Sequence, residues 1–119
     1  MASFTKTIPA GKAEAEVVAL LAGRDHFLPL AQTPTRAQAG DFIYLIYRGM
    51  ISGRARIRAL ELVKRGVMAE ERAGAAWARC LVHYAGEWEK PGREIPAQGH
   101  QSVRYLDVQG LAHLDGEKW

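Results

Sequence analysis

The chain of 119 residues contains one cysteine, Cys80, so no internal disulfide can form. Its longest apolar run, Phe42 to Tyr47, is far too short to span a bilayer. No basic-then-apolar stretch opens the sequence, so no signal peptide is expected. Together these features lead to the expectation of a soluble, cytoplasmic protein with no membrane partner. His26, His83, His100 and His113 show no metal-ligand spacing and Cys80 has no partner cysteine, so no metal and no cofactor are expected. Gly92 and Gly99 do not form a phosphate-cradling loop. Internal repeats and low-complexity segments are also missing.

What is present is enough for one domain spanning residues 1–119. The apolar fraction of 48% excludes global disorder, and a chain of this length buries roughly two thirds of its unfolded surface. The net charge is only +3, but it is unevenly spread. Between Asp41 and Gly66 lie Arg48, Arg54, Arg56, Arg58, Lys64 and Arg65 against Asp41 and Glu61; six minus two gives +4. A local basic field steers polyanions even when the total charge is small.

Ser3 to Ile8 alternates polar and apolar residues and predicts a first strand. Lys12 to Ala22 predicts a helix, with Gly23 placed to end it. His26 to Gly40 carries Pro29 and Pro34 without a period and reads as a crossing loop. Phe42 to Tyr47 predicts a buried strand, Arg48-Gly49 a hairpin turn, and Met50 to Leu62 the return strand, with a bulge near Gly53. Residues 64–74 are ambiguous. Trp77 to Tyr84 fits either a strand or a continued helix, and the strand is favoured. Glu87 to Gly99 reads as a loop and Val103 to Val108 as a last strand, followed by a polar tail containing Leu111, Leu114 and Trp119. The sum is an α+β, mainly β fold: a small, partly open β-barrel decorated by one or two helices.

The return strand is the most informative segment. Alternation sets Arg54, Arg56 and Arg58 on one face and Ala55, Ile57 and Ala59 on the other. Such a row suits an extended anion such as a nucleic-acid backbone; the alternative is a solvated outer face. Arg48 joins it at the turn. Trp77, Tyr84, Trp88 and Tyr105 offer stacking surfaces for an unstacked base or, alternatively, core packing. Trp88 lies in the charged run Glu87-Trp88-Glu89-Lys90 and is expected to be exposed and to touch ligand. Gln101, Ser102 and Arg104 could meet a base edge or, alternatively, Gln101 and Ser102 satisfy backbone groups in a loop; His100 is a candidate general base or, alternatively, a plain surface residue.

Gly40-Asp41-Phe42-Ile43-Tyr44-Leu45, followed by Ile51-Ser52-Gly53-Arg54-Ala55, resembles the PUA-like superfamily, nearest to its ASCH and EVE domains. Gly99-His100-Gln101-Ser102-Val103-Arg104-Tyr105-Leu106 looks like the final strand of such proteins. The resemblance covers roughly residues 40–60 and 94–107. It implies a PUA-like pseudo-barrel whose cleft binds single-stranded RNA or a modified nucleotide or base, and a binding domain rather than a catalyst. Some ASCH-like members are amidohydrolases acting on acylated cytidine, with a Gly-Lys-Lys/Arg-Thr motif. Here Gly11-Lys12-Ala13-Glu14 stands at that place without the Thr, so that activity is not carried over. A hydrolase acting on a modified nucleoside remains an alternative, with Lys12, Glu14 or Glu61 as acid-base groups. So does a protein-interaction module using an exposed tail and Trp119.

Overall fold

The structure, a computed structural model, describes residues 2–101, 103–116 and 119. Its elements are β1 (Phe4–Ile8), α1 (Glu14–Leu21), β2 (Phe27–Leu30), β3 (Phe42–Tyr47), β4 (Met50–Leu62), α2 (Val67–Ala73), β5 (Cys80–Tyr84) and β6 (Val103–Tyr105), with a short 3-10 turn over Ala112–Asp115. The strands form one sheet in the order β2-β5-β4-β3-β1-β6. Only β1 and β3 run parallel, Phe4 opposite Ile43 through Ile8 opposite Tyr47. The fold is α+β and mainly β, a curled and partly open half-barrel.

The curl is built into β4. Its first half pairs with β3 and its second half with β5, and the register shifts once in each half. Opposite Leu45 and Ile46, Ser52 is the extra residue; opposite Tyr84 and His83, Arg58 is the extra residue. Each bulge bends the strand and increases its twist. Gly53 beside the first bulge leaves room for a close approach: a Cβ there would stand 2.8 Å from Leu21 Cδ2 and 3.3 Å from the Glu89 carbonyl oxygen. The β3–β4 hairpin closes through Arg48 (φ 50°) and Gly49 (φ 79°), the two positive-φ residues of a tight hairpin turn.

Two apolar layers sandwich the sheet. On the concave side, Phe4, Ile43, Leu45, Ala55, Ile57, Val82 and Tyr84 pack against Val17, Leu20 and Leu21 of α1. On the convex side, Tyr44, Ile46 and Ile51 are covered by Ile95, Ala97, Leu106, Leu114 and Trp119. β3 is therefore apolar on both faces, which explains its unbroken run Phe-Ile-Tyr-Leu-Ile-Tyr. A third small cluster of Ala69, Ala75, Ala78 and Leu81 seats α2.

Several expectations change. His26 to Gly40 is not all loop, because Phe27–Leu30 pairs with β5. Pro29 hid it, yet proline is tolerated on an edge strand, where its missing N–H can face away from the partner. The last strand ends at Tyr105, and Leu106 to Gly110 turns back. Trp119, expected to be exposed, is 6% exposed, and Leu114 is fully buried. Residues 67–84 resolve into α2 followed by β5. The Gly40-Asp41 pair does structural work, since buried Asp41 Oδ2 accepts from Ala2 N (3.0 Å) and Gln38 N (2.9 Å).

Candidate functional site

The expected row of three guanidinium groups does not assemble. Arg54 lies inside the convex layer, its side chain 3% exposed. It donates to Glu89 Oε2 (3.0 Å) and Oε1 (3.2 Å), and to the Tyr44 hydroxyl (3.1 Å). It also donates to the carbonyls of Leu114 and Gly116 (both 2.9 Å). Its guanidinium lies 4.2 Å from the Phe42 ring centre and 4.6 Å from that of Trp119. Every strong contact is internal, so Arg54 holds the convex cover in place. Arg56 stays exposed, donates to the Gly40 carbonyl (2.8 Å) and lies over Phe42 at 4.4 Å. Arg58 is the bulge residue, displaced from the Arg54–Arg56 face. A shallow cavity of about 350 Å³ beside Arg54 and Arg56 also carries Glu87 and Glu89, which oppose an anion.

Trp88 is a second correction. It is 2% exposed and packs edge-on against Tyr84 at 4.9 Å. The segment around it is extended, with Glu89 bridged to Arg54, so Glu87 and Glu89 point out while Trp88 points in. Alternation, not the charge of its neighbours, set its burial. The Tyr84 hydroxyl and Trp88 indole N–H are both buried without a hydrogen-bond partner. Arg104 is exposed on the β6 edge and Gln101 precedes it in the open. Tyr105 is engaged: its hydroxyl accepts from Arg36 N (2.9 Å) and the Arg36 guanidinium lies 4.3 Å from its ring centre. Ser102 lies outside the described residues. β3 and β1 stand between β6 and β4 in the sheet.

His100 contacts the buried Thr5 hydroxyl through Nε2 (2.5 Å) and the Gln101 carbonyl through Nδ1 (3.2 Å). Gln109 Nε2 donates to the same hydroxyl (3.0 Å). This network ties the segment after Gly99 to β1. Cys80 is buried and its thiol is pushed up by burial, then by Glu61, which makes it a poor nucleophile. Among the described residues no group of three or more His, Cys, Asp or Glu could hold a metal ion, and no helix is long and apolar enough to cross a membrane.

A different site is better built. A cleft of about 330 Å³ opens between the end of β1, α1 and β2. Lys6, Thr7, Ile8 and Pro9 line one wall, Lys12, Leu20, Arg24 and Asp25 the next, and Phe27, Leu28, Pro29 and Trp77 the third. Three cations and two aromatic rings thus face one concavity, together with the Asp25 carboxylate, which is ion-paired with Arg24 (3.0 Å). Lys12 is held by its loop: Lys12 N donates to Pro9 O (3.0 Å), Tyr47 Oη donates to Lys12 O (2.6 Å), and Arg48 Nε donates to Ala10 O (3.2 Å). Arg48 therefore serves the cleft from behind. Lys12 pairs only loosely with Glu16 (3.7 Å), an exposed contact worth about 0–1 kcal/mol, so its ammonium can turn to an anion.

Lys6 is the residue the sequence reading missed. Strand alternation places it on the face of Phe4 and Ile8, both in the concave core. Among the described residues no carboxylate forms an ion pair with it. Burial, then the nearby Lys12 charge, pushes its amine below the ordinary lysine value. The signal was available: in Phe4-Thr5-Lys6-Thr7-Ile8 the lysine occupies an inward position.

Phe27 is braced from below. Glu61 accepts from Arg72 (2.9 and 3.0 Å) and contacts His83 Nε2 (2.7 Å). The Arg72 guanidinium lies 5.3 Å and the His83 ring 5.7 Å from the Phe27 ring centre. Arg72 holds the Glu61 carboxyl below its usual range, with His83 adding to it. Of the proposed acid-base groups only Lys12 lines the cleft. Glu14 is exposed at the start of α1 and Glu61 is committed to Arg72 and His83. Trp77, 47% exposed, remains available as a stacking face.

The architecture and cleft define an α+β open half-barrel with a basic, aromatic-lined groove. No family model, no curated protein and no solved structure matches the chain.

Proposed function

We propose that this chain is a PUA-like domain that binds a nucleotide, free or at the end of an RNA strand, in the β1–α1–β2 cleft. The single observation behind this reading is the convergence of Lys6, Lys12 and Arg24 with Phe27 and Trp77 around one concavity. Ammonium and guanidinium groups meet the phosphate, and the rings flank the base, as single-stranded nucleic acids are commonly held. The Gly-Asp and Ile-x-Gly motifs shared with PUA-like domains support the fold side of the reading, because they sit at the hairpin that carries the curl.

The test is a titration of the full chain with nucleoside monophosphates and short single-stranded RNA and DNA, followed by amide NMR shifts and tryptophan fluorescence. Shifts are expected at residues 6–12, 24–29 and 77, weakening as salt rises. Trp77→Ala should weaken binding by roughly tenfold, the range of one base–aromatic stack, with the thermal midpoint nearly unchanged. Shifts confined to Arg56, Arg58 and Glu87 would move the site to the β4 face. No shift with any of these ligands would remove the nucleotide reading.

A further inference from the structure

We propose that Lys6 is a nucleophilic amine, and that the cleft takes a planar carbonyl compound bearing an anionic group, held as an imine on Lys6 Nζ. The inference rests on the β1–α1–β2 cleft being a ligand site, as in the reading above, but not on the ligand being a nucleotide. Lys6 is half-buried on the inward face of β1, lines the cleft, and has no carboxylate partner among the described residues. Desolvation and a neighbouring cation are the two conditions that favour a neutral, attacking lysine, and Lys6 has both, the cation being Lys12. The cleft volume of about 330 Å³ suits a single ring with one charged substituent. Lys12 supplies the anion contact, beside Arg24, which is itself paired with Asp25 (3.0 Å), and Phe27 and Trp77 supply the ring contacts.

The step balances without an oxidant or reductant. The Nζ lone pair attacks the carbonyl carbon, the C–N bond forms, and the C–O π pair moves to oxygen. The amine's two protons and that oxygen then leave as one water as the C–O bond breaks and the C=N bond forms.

The experiment uses pyridoxal 5′-phosphate as the probe on the full chain, borohydride reduction, and peptide mass mapping at neutral and mildly alkaline pH. Lys6 is expected to be modified severalfold faster than the exposed Lys64 and Lys90 at neutral pH, since burial leaves a larger fraction of its amine neutral and ready to attack. The gap should narrow as pH rises and all amines become neutral. Lys6→Arg should abolish the fast phase. If that variant does not fold, Lys12→Gln should slow it instead. Equal rates at Lys6, Lys64 and Lys90, or a fast phase that survives Lys6→Arg, would overturn the proposal.

Adding a nucleoside monophosphate separates the two readings. Protection of Lys6 supports both. Fast labelling of Lys6 without protection, and with no NMR shifts from nucleotides, supports the amine and overturns the nucleotide. Nucleotide shifts in the cleft with an unreactive Lys6 do the reverse.

Discussion

Lys6 and Arg54 both bring a cation into the body of the sheet, one on each face, and they differ in what meets the charge. Arg54 finds a carboxylate, a hydroxyl, two carbonyls and two close aromatic rings. Removing it takes a donor from the buried Tyr44 hydroxyl and Leu114 carbonyl, while Glu89 is half-exposed, so Arg54→Met should lower unfolding free energy by about 2 kcal/mol in a urea titration. Among the described residues Lys6 finds no such partners, and its amine is lowered below the ordinary value. The folded state therefore binds fewer protons than the unfolded chain below the unfolded lysine value of 10.5. Its charge destabilises the fold at neutral pH, and that penalty is relieved as pH rises through the folded value toward 10.5. Lys6→Met is expected to raise the thermal midpoint by several degrees, on the order of 1 kcal/mol, while weakening anion binding. The advantage over the parent should shrink in scans at pH near 10. A lowered midpoint would show that Lys6 is paired in solution.

At the scale of elements, α2 is seated by small residues and by one charged clasp. It has seven residues and buries only Ala69 fully, so it draws little from its own propensity. The clasp is Glu61 on β4 holding Arg72 on α2 and His83 on β5. Glu61→Gln should increase amide exchange across Val67–Ala73 while leaving β3 and the first half of β4 unchanged. The global cost should stay under about 1 kcal/mol, because these side chains are partly exposed. The carboxyl of Glu61 is lowered in the folded state, so its contribution is present above the unfolded value of 4.5 and is lost as pH falls through the folded value. Acid titration of α2 amide exchange checks that sign. The bulge at Arg58 acts at the same scale. It moves the inward positions from Ala55 and Ile57 to Leu60, so a pattern counted by alternation alone breaks midway along the strand.

At the scale of the molecule, one sheet is closed by two unlike covers: α1 on the concave side, and Ile95, Ala97, Leu106, Leu114 and Trp119 on the convex side. The second cover has little regular structure and depends on a few large side chains. Trp119 packs edge-on to Tyr44 at 5.5 Å and donates to Glu89 Oε1 at 2.9 Å. Trp119→Ala should therefore cost about 3 kcal/mol, read by chemical denaturation, with Arg54 losing its stacking partner in the same step. A change under about 0.5 kcal/mol would show that this cover is loosely held.

Local pattern determined much of this protein. The two-residue hairpin turn followed from Gly49, the doubly buried β3 from its apolar run, and α1 from its composition, since each depends on neighbours within a few positions. The hidden strand β2, the inward turn of Trp88 and the burial of Trp119 were set by partners 30 to 67 positions away in the chain, as in Leu28 opposite Val82, Trp88 N donating to Leu21 O, and Trp119 bonded to Glu89. The cleft shows the division most clearly. Lys6 was readable as an inward lysine, but three strands stand between β1 and β2 in the sheet order. Only the curl imposed by the bulges of β4 brings Lys6 and Lys12 to the same cavity as Phe27 and Trp77. Strand curvature is a property of pairing, and pairing is decided in three dimensions.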